Sequence, residues 1–331
     1  MLFFNTLMIG TLIAISSYSW FSMWMGLEIN LLSFIPLMSK SENIYPSESA
    51  LKYFMTQSLA SSILLFSVVL MTNINEFIPQ NPSYWLTMVM STALLTKMGA
   101  APFHAWFPEV LEGLSWMNCL ILLTWQKIAP MILLLYNSKL TLFLTVTAIL
   151  SSLTGSILGI NQTSLRKIMG YSSINHMGWM IASMLGSNET WMIYFLLYTI
   201  ISVSVISILH KLNVFQMKQL MNSLNQKKMF KFFFLSNFLS LGGLPPFVGF
   251  FPKWLVVNTL VKLNYLSLSL ILILSTLIAL FFYLRITFMI MTINTSETNT
   301  FESKYLDSLS IGINILSLGG LPICTLFLNQ F

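Results

Sequence analysis

The chain has 331 residues, of which 16 are basic and 10 are acidic, and 56% of them are hydrophobic. A soluble domain of this length would carry roughly 80 charges, because about 25% of its residues would be charged. So apolar a chain is neither a soluble fold nor disordered, and a net charge of +6 without a dense basic arm argues against nucleic-acid binding. The composition indicates an all-α polytopic membrane protein.

Apolar runs divide the chain into about eleven membrane helices, joined by short polar connections. The first run has no basic segment before it and no cleavage site after it, which is typical of a retained helix rather than a signal peptide. The connections 211–228 and 291–307 are the most polar, and one membrane domain over 1–331 is predicted. The predicted helices span 1–19, 21–39, 50–72, 83–108, 114–136, 139–159, 164–185, 189–210, 229–258, 263–290 and 308–329.

Eleven membrane helices place their connecting loops alternately on the two sides of the membrane. Basic residues are distributed unequally between these two sets of loops. The loops on the N-terminal side hold eleven, whereas the other side holds two, Lys139 and Lys262. The positive-inside rule therefore places the N-terminus in the matrix or cytoplasm and the C-terminus on the opposite side. The eleven are Lys40, Lys52, Arg166, Lys167, Lys211, Lys218, Lys227, Lys228, Lys231, Arg285 and Lys304.

Four ionisable residues lie inside apolar runs: Glu28, Lys97, Lys127 and Lys253. A charge at bilayer depth costs about 2.5–3.5 kcal/mol on insertion scales, so a sequence that carries four is expected to use them. The structural alternative for each is that its side chain reaches the membrane interface. A buried lysine beside a carboxylate keeps its proton, and tends to release it when the carboxylate is neutralised. Glu28 and Lys97 are therefore candidates for a coupled pair, with Lys127 as the next proton acceptor.

Two predicted helices carry glycine and proline in mid-run, and both are predicted to be broken. Proline removes a backbone donor, and freed backbone groups inside a membrane need protein or a wet cavity to satisfy them. The breaks are either packing kinks or parts of a transport site. The breaking residues are Gly99 and Pro102 in helix 4, and Gly242, Gly243, Pro245 and Pro246 in helix 9.

The two breaks lie five helices apart, which predicts an internal repeat. Helices 1–5, at about 1–136, form the first repeat, and helices 6–10, at about 139–290, form the second, followed by the final helix at 308–329. Because five is odd, the second repeat is inverted in the membrane relative to the first. Broken helices at matching places in inverted repeats indicate a transport site.

Histidines and two acids near the breaks have open roles. His104 and His176 are either structural residues or members of a proton relay, since an unperturbed imidazole titrates near neutrality. His210 ends helix 8 and is expected at the interface. Glu109 and Glu112 lie near the inner surface, where they are either solvated or involved in proton uptake.

No cofactor or metal site is expected in the chain. Cys119 and Cys324 lie in apolar runs, without the spacing of metal ligands or of a disulfide. The sequence contains no nucleotide-binding, haem or iron–sulfur motif. A redox centre is therefore not predicted.

Five segments, WMGLEINLLSFIPLM, KMGAAPFHAWFPEV, LTWQKIAPM, NQTSLRKIMGYSSINHMGW and LGGLPPFVGFFPKW, together resemble one family over nearly the whole chain. The chain resembles the animal form, in its arthropod variety, of the antiporter-like membrane subunits of mitochondrial respiratory complex I. These subunits are related to cation/proton antiporter subunits. Full-length members have fourteen helices and the animal form lacks the first three, which agrees with eleven helices and a matrix-side N-terminus.

The resemblance implies a role in the NADH:ubiquinone reductase of the mitochondrial inner membrane, without a redox centre in this chain. It implies that Glu28, Lys97, Lys127 and Lys253 carry protons from the matrix toward the intermembrane space. NADH, FMN, iron–sulfur clusters and ubiquinone would be bound by other subunits. The implied partners are other complex I subunits, especially neighbouring antiporter-like and small membrane subunits, and lipids such as cardiolipin, but no nucleic acid.

Two alternatives stay open at this point. The same buried charges would serve a free-standing cation/proton antiporter, which would move ions without neighbouring subunits. The chain would alternatively be a structural spacer in the membrane arm that conducts nothing. The cost of burying four ionisable groups argues against the spacer.

Overall fold

The computed structural model describes residues 2–38, 44–74, 84–224 and 228–292, together with Gly312 and Asn314. Within these ranges the chain is helical apart from turns and one isolated bridge between Ser164 and Gln216. The predicted all-α class is confirmed. The predicted final helix at 308–329 and Cys324 lie outside the described residues, apart from Gly312 and Asn314.

Contacts divide the chain into two compact units, Met1–Thr147 and Ala148–Phe331. The boundary falls inside α8 (Thr141–Gly159). The first unit contains α1 (Leu2–Ser16), α2 (Trp20–Met38), α3 (Ile44–Ile74), α4 (Tyr84–Met98), α5 (Trp106–Gly113), α6 (Trp116–Leu123) and α7 (Trp125–Tyr136). In this unit α1 packs on α2, α3 packs on α2, α4 and α5, and α7 packs on α1, α4 and α6.

The second unit is arranged around a central helix. It contains α9 (Leu165–Met184), α10 (Asn188–Leu212), α11 (Met217–Leu224), α12 (Lys228–Gly242), α13 (Phe250–Lys262) and α14 (Leu266–Thr292). Every residue from Ser172 to Met184 is buried, and α9 packs on α10, α13 and α14. A helix that is buried on all sides, as α9 is, forms the core of its unit.

Six helical segments in the described part of the chain are long and apolar enough to cross a membrane, and one of them consists of α6 and α7 together. Their outward faces carry large apolar side chains, such as Leu32, Phe66, Leu142 and Phe288. Lipid tails are as apolar as these side chains, so such surfaces are stable in a bilayer. The six spans are Trp20–Met38, Ile44–Thr72, Trp116–Tyr136, Thr141–Gly159, Asn188–Leu212 and Leu266–Met291.

Three predicted helices each correspond to a pair of shorter helices. The predicted 114–136 corresponds to α6 and α7, separated at Thr124. The predicted 83–108 corresponds to α4 and α5, separated between Met98 and Trp106, and 229–258 corresponds to α12 and α13, separated between Gly242 and Phe250. One helix was missed, because α11 lies in the connection 211–228. It is amphipathic and too polar for an apolar-run criterion, and it packs on α12 and α14.

Candidate functional site

The first unit contains a sharp turn where α4 ends. Gly99 has φ +75°, a left-handed conformation that glycine adopts at little steric cost. Its amide donates to the carbonyl of Thr96 at 3.2 Å. The next amide, of Ala100, donates to the carbonyl of Leu95 at 3.1 Å. These two bonds form a Schellman motif, which satisfies two of the carbonyls that a helix end leaves free.

The second unit contains the same turn where α12 ends. Gly243 has φ +78°. Its amide donates to the carbonyl of Ser240 at 3.0 Å. The amide of Leu244 donates to the carbonyl of Leu239 at 3.4 Å, which completes a second Schellman motif. We call these two segments the Gly99 turn, residues 99–109, and the Gly243 turn, residues 243–253.

The two turns share sequence as well as backbone structure. GAAPFHAWFPE and GLPPFVGFFPK have the same glycine, both phenylalanines and the same two prolines at matching positions. The bond from the Phe103 amide to the Ala100 carbonyl, 2.9 Å, matches the bond from Phe247 to Leu244, 3.0 Å. The last position differs in charge, since it is glutamate in the first turn and lysine in the second. The glycines and prolines singled out both segments in the sequence, and aligning the chain with itself would have shown the repeat.

An ammonium group caps the end of α12. Lys253, in the first turn of α13, donates from Nζ to the carbonyls of Leu241 at 3.2 Å and Gly242 at 2.9 Å. A cation is favourable there, because the carbonyl end of a helix carries partial negative charge. The side chain passes so close to Gly243 that a Cβ at that glycine would lie 2.8 Å from Nζ.

A neutral amide takes the matching role in the first unit. The residue that corresponds to Leu241 is Lys97, and its carbonyl accepts a hydrogen bond from Nε2 of Gln57 at 3.2 Å. The indole of Trp106 donates to the carbonyl of Thr96 at 3.2 Å. The same backbone turn is therefore stabilised by neutral donors in the first unit and by an ionisable one in the second.

The side chain of Lys97 is directed to another partner. Lys97 lies in the last turn of α4 and is 7% exposed. It interacts electrostatically with Glu28 of α2, and Tyr53 interacts with the same carboxylate. Oε1 of Glu28 is buried and accepts no hydrogen bond from any residue in the described ranges. Both members of the predicted pair therefore lie in the first unit, close enough to interact electrostatically but without an ion pair between them in the described residues.

Lys127 lies close to Phe107, within the Gly99 turn. It is 1% exposed, and its Nζ lies 5.3 Å from the centroid of the Phe107 ring, within the range of a cation–π interaction. Phe107 also packs against the turn, because a Cβ at Gly99 would lie 3.0 Å from Phe107 atoms. Phe107 thus contacts both Gly99 and the buried ammonium of Lys127.

The other candidates have less central positions. The Nδ1 atom of His104 lies 3.3 Å from the carbonyl oxygen of Pro102, within the Gly99 turn. His210 is exposed in the last turn of α10. Glu109 forms an ion pair of 3.1 Å with Lys52, and both are about half exposed.

Three tyrosines near His176 were missed in the sequence. Nδ1 of His176 lies 2.8 Å from the hydroxyl of Tyr194, and the centroids of the His176 and Tyr198 rings are 5.2 Å apart. Tyr283 of α14 interacts electrostatically with both of these tyrosines. Tyrosine in an apolar run usually indicates packing, but the four-residue spacing of Tyr194 and Tyr198 places both on one face of α10.

No metal centre is found within the ranges that the structure describes, since no group of three or more histidine, cysteine or acidic side chains converges there. The side chain of Cys119 is buried. Its Sγ lies 3.6 Å from the carbonyl of Leu111. The chemistry available to the described site is proton binding and release by lysines, a glutamate and a histidine.

We expect Gly243→Ala to destabilise the protein, whereas Gly242→Ala should not. At Gly243 an alanine would be held in the left-handed region, which costs roughly 1–2 kcal/mol, and it would displace Lys253 from its carbonyls. At Gly242 the added Cβ would lie 3.6 Å from Leu280, an ordinary contact. Thermal unfolding of the purified variants measures the difference, and equal midpoints would contradict the proposed strain.

Comparison with known proteins gives a consistent assignment. A family model described as "NADH:quinone oxidoreductase/Mrp antiporter, TM" matches residues 17–279. The chain is 48% identical to NADH-ubiquinone oxidoreductase chain 2 of Anopheles gambiae, over 98% of this chain and 96% of the relative. It is 49% identical to the same chain of Aedes aegypti, with the same coverage. The protein of that name from Locusta migratoria is 43% identical over 96% of this chain and 93% of its own length.

Solved structures show the same fold at low sequence identity. A chain from respiratory complex I of Thermus thermophilus with bound aureothin superposes with a TM-score of 0.86 at 21% identity, covering 98% of this chain and 78% of that one. A chain of the Mrp complex from Dietzia sp. DQ12-45-1b gives 0.80 at 14% identity, covering 96% and 74%. The chain therefore belongs to the NADH:quinone oxidoreductase/Mrp antiporter membrane family and, within it, to the proteins named NADH-ubiquinone oxidoreductase chain 2.

Proposed function

We propose that the chain is a core membrane subunit of mitochondrial complex I, and that it translocates protons while other subunits pass electrons from NADH to ubiquinone. Its near full-length similarity to insect chain 2 proteins supports membership of that complex. The fold shared with complex I and Mrp chains supports a transport role. NADH, FMN, iron–sulfur clusters and ubiquinone belong to other subunits in this proposal.

The observation that carries the proton role is the burial of three lysines in an otherwise apolar helical protein. Lys97, Lys127 and Lys253 are 7%, 1% and 9% exposed. Each charge placed at membrane depth costs about 2.5–3.5 kcal/mol, so a protein that conducted nothing would gain stability by replacing them with leucine. The burial argues against a spacer and for a chain of ionisable sites.

The proposed relay consists of Glu28, Lys97 and Lys127 in the first unit and Lys253 in the second. When Glu28 takes up a proton, Lys97 loses the negative charge that helps it to hold its own proton. The proton released by Lys97 passes to Lys127. His104 and His176 are additional relay positions in this proposal, since imidazole accepts and donates protons near neutral pH.

The setting in the membrane is also part of the proposal. The excess of basic residues in loops on the N-terminal side places the N-terminus in the matrix and the C-terminus toward the intermembrane space of the mitochondrial inner membrane. The repetition of one turn at Gly99 and Gly243 supports two five-helix repeats of opposite orientation. Neighbouring antiporter-like and small membrane subunits, and lipids such as cardiolipin, are the proposed partners.

A free-standing cation/proton antiporter is the second candidate, and the fold shared with an Mrp complex favours it. Native electrophoresis of gently solubilised mitochondrial inner membranes separates the two. Peptides of this chain should migrate in the large band that stains for NADH dehydrogenase activity. Migration as a small species away from that band would contradict complex I membership, and ion movement by the chain purified alone would support the antiporter.

Lys127→Met should lower proton translocation in the assembled complex, because methionine fills a similar volume but binds no proton. The measurement is the number of protons moved per NADH oxidised by inverted membrane vesicles, together with turnover. Lys139→Met is the matched control, since Lys139 is exposed in the same unit. Full pumping at normal turnover in Lys127→Met would remove this residue from the mechanism and would favour the spacer.

Glu28→Gln should also reduce pumping, because glutamine keeps the shape of glutamate but supplies no charge to act on Lys97. Glu48→Gln is the control, since Glu48 forms an exposed ion pair with Lys52 at 3.0 Å. Such surface pairs contribute only about 0–1 kcal/mol, so this control should assemble and pump normally. If Glu28→Gln pumps at the wild-type rate in the same vesicle assay, the coupled pair is wrong.

A further inference from the structure

The second unit contains a cluster of buried hydroxyl groups, formed by Tyr194, Tyr198, Tyr283, Ser172 and Ser173. All five side chains are at most 4% exposed. They come from α9, α10 and α14, and α9 packs on both of the other two helices. We call this group the hydroxyl cluster. Nothing in the relay proposed above uses it.

One end of the hydroxyl cluster contacts His176. The Tyr194 hydroxyl lies 2.8 Å from Nδ1 of His176. The Tyr198 ring lies beside the same imidazole, with its centroid 5.2 Å away, and Tyr198 also lies beside the side chain of Ser173. Tyr194 therefore contacts a ring nitrogen of His176, and Tyr198 lies beside the ring itself.

The other end of the hydroxyl cluster contacts the segment capped by Lys253. The ring of Tyr283 packs on Gly242, where a Cβ would lie 3.7 Å from Cδ2 of Tyr283. The carbonyl of that glycine accepts the 2.9 Å hydrogen bond from Nζ of Lys253. Gly242 is therefore in contact with both the ammonium and the tyrosine.

The hydroxyl of Tyr283 is the open position in this arrangement. It lies beside Ser172, but it makes no hydrogen bond of good geometry within the described residues. Oδ1 of Asn175, one helical turn from Ser172 on α9, is also buried without a hydrogen bond in that part of the chain. An unsatisfied buried polar group costs about 1–3 kcal/mol, and buried polar groups of this kind are typically satisfied by ordered water.

We propose, building on the proposed proton role, that the hydroxyl cluster and an ordered water beside Tyr283 conduct protons between Lys253 and His176. Hydroxyl groups suit this task because each one both accepts and donates a hydrogen bond. In this route the water bridges Lys253 and Tyr283, and Ser172 lies beside Tyr283. Tyr194, which interacts electrostatically with Tyr283, delivers the proton to Nδ1 of His176.

The proton balance is simple. An N–H bond of the Lys253 ammonium breaks, and its proton goes to the water. The water, Tyr283, Ser172 and Tyr194 each accept one proton and pass on one of their own, so all of them end neutral. A new N–H bond forms at His176, which leaves a neutral amine at Lys253 and an imidazolium at His176.

Tyr283→Phe in the whole complex tests this proposal, because it removes the hydroxyl and keeps the ring that packs on Gly242. Coupled turnover should fall at least about tenfold, since one proton-transfer group typically contributes ~10²–10⁴-fold to the step it serves. Replacing H₂O by D₂O should slow the variant more than the wild type, which a change of packing alone would not do. Tyr265→Phe, in the same unit but partly exposed, is the matched control and should behave as the wild type.

Ser172→Ala gives a second test if Tyr283→Phe fails to assemble, and it should show the same enlarged isotope effect. Lys253→Met is measured in parallel. Normal turnover in Tyr283→Phe with reduced turnover in Lys253→Met would overturn the hydroxyl route and leave the proton role of the subunit intact. Normal turnover in both would overturn the route together with the proposed role of Lys253.

Discussion

A bilayer offers no water to a backbone that leaves its helix, so each carbonyl freed at Gly99 and Gly243 needs a donor from the protein itself. Two amides of the following turn supply part of this need at both places. Side chains supply further donors, Gln57 and Trp106 in the first unit and Lys253 in the second. The donor in the second unit is ionisable, so the end of α12 is stabilised by the same group that the proposed function uses to carry a proton.

In the first unit, the packing of Phe107 connects Gly99 to the buried ammonium of Lys127. Phe107 fits against Gly99, where there is no room for a side chain, and its ring faces Nζ of Lys127. A displacement of the turn would therefore move the Phe107 ring, whose cation–π interaction with the ammonium partly replaces the hydration lost on burial. Lys97, in the last turn of α4, interacts electrostatically with Glu28 of α2. Lys127 therefore lies beside an aromatic ring, whereas Lys97 lies near a carboxylate.

The sequence predicted the membrane class, the family and the buried charges, because each depends on a strong local signal. A lysine such as Lys127 stands out in an apolar run, and glycine with proline marks the end of a helix. The docking of Lys253 on the carbonyls of α12 joins side chain and backbone across a turn, so no local pattern revealed it. The buried tyrosines were missed for a related reason, since tyrosine is common in apolar cores and only the tertiary structure shows that Tyr194 meets His176.

The Gly99 and Gly243 turns have the same backbone structure but carry different ionisable residues. The backbone structure of the turn is therefore independent of its ionisable residue. The Gly99 turn has the same backbone hydrogen bonds as the Gly243 turn. The residue that corresponds to Lys253 is nevertheless Glu109, which is about half exposed and forms an ion pair with Lys52. The backbone shape therefore needs no particular charge at that position. A duplicated segment of this kind lets one copy preserve the architecture while the other acquires a reactive group, and an exchange of residues between the copies would transfer chemistry without redesigning the fold.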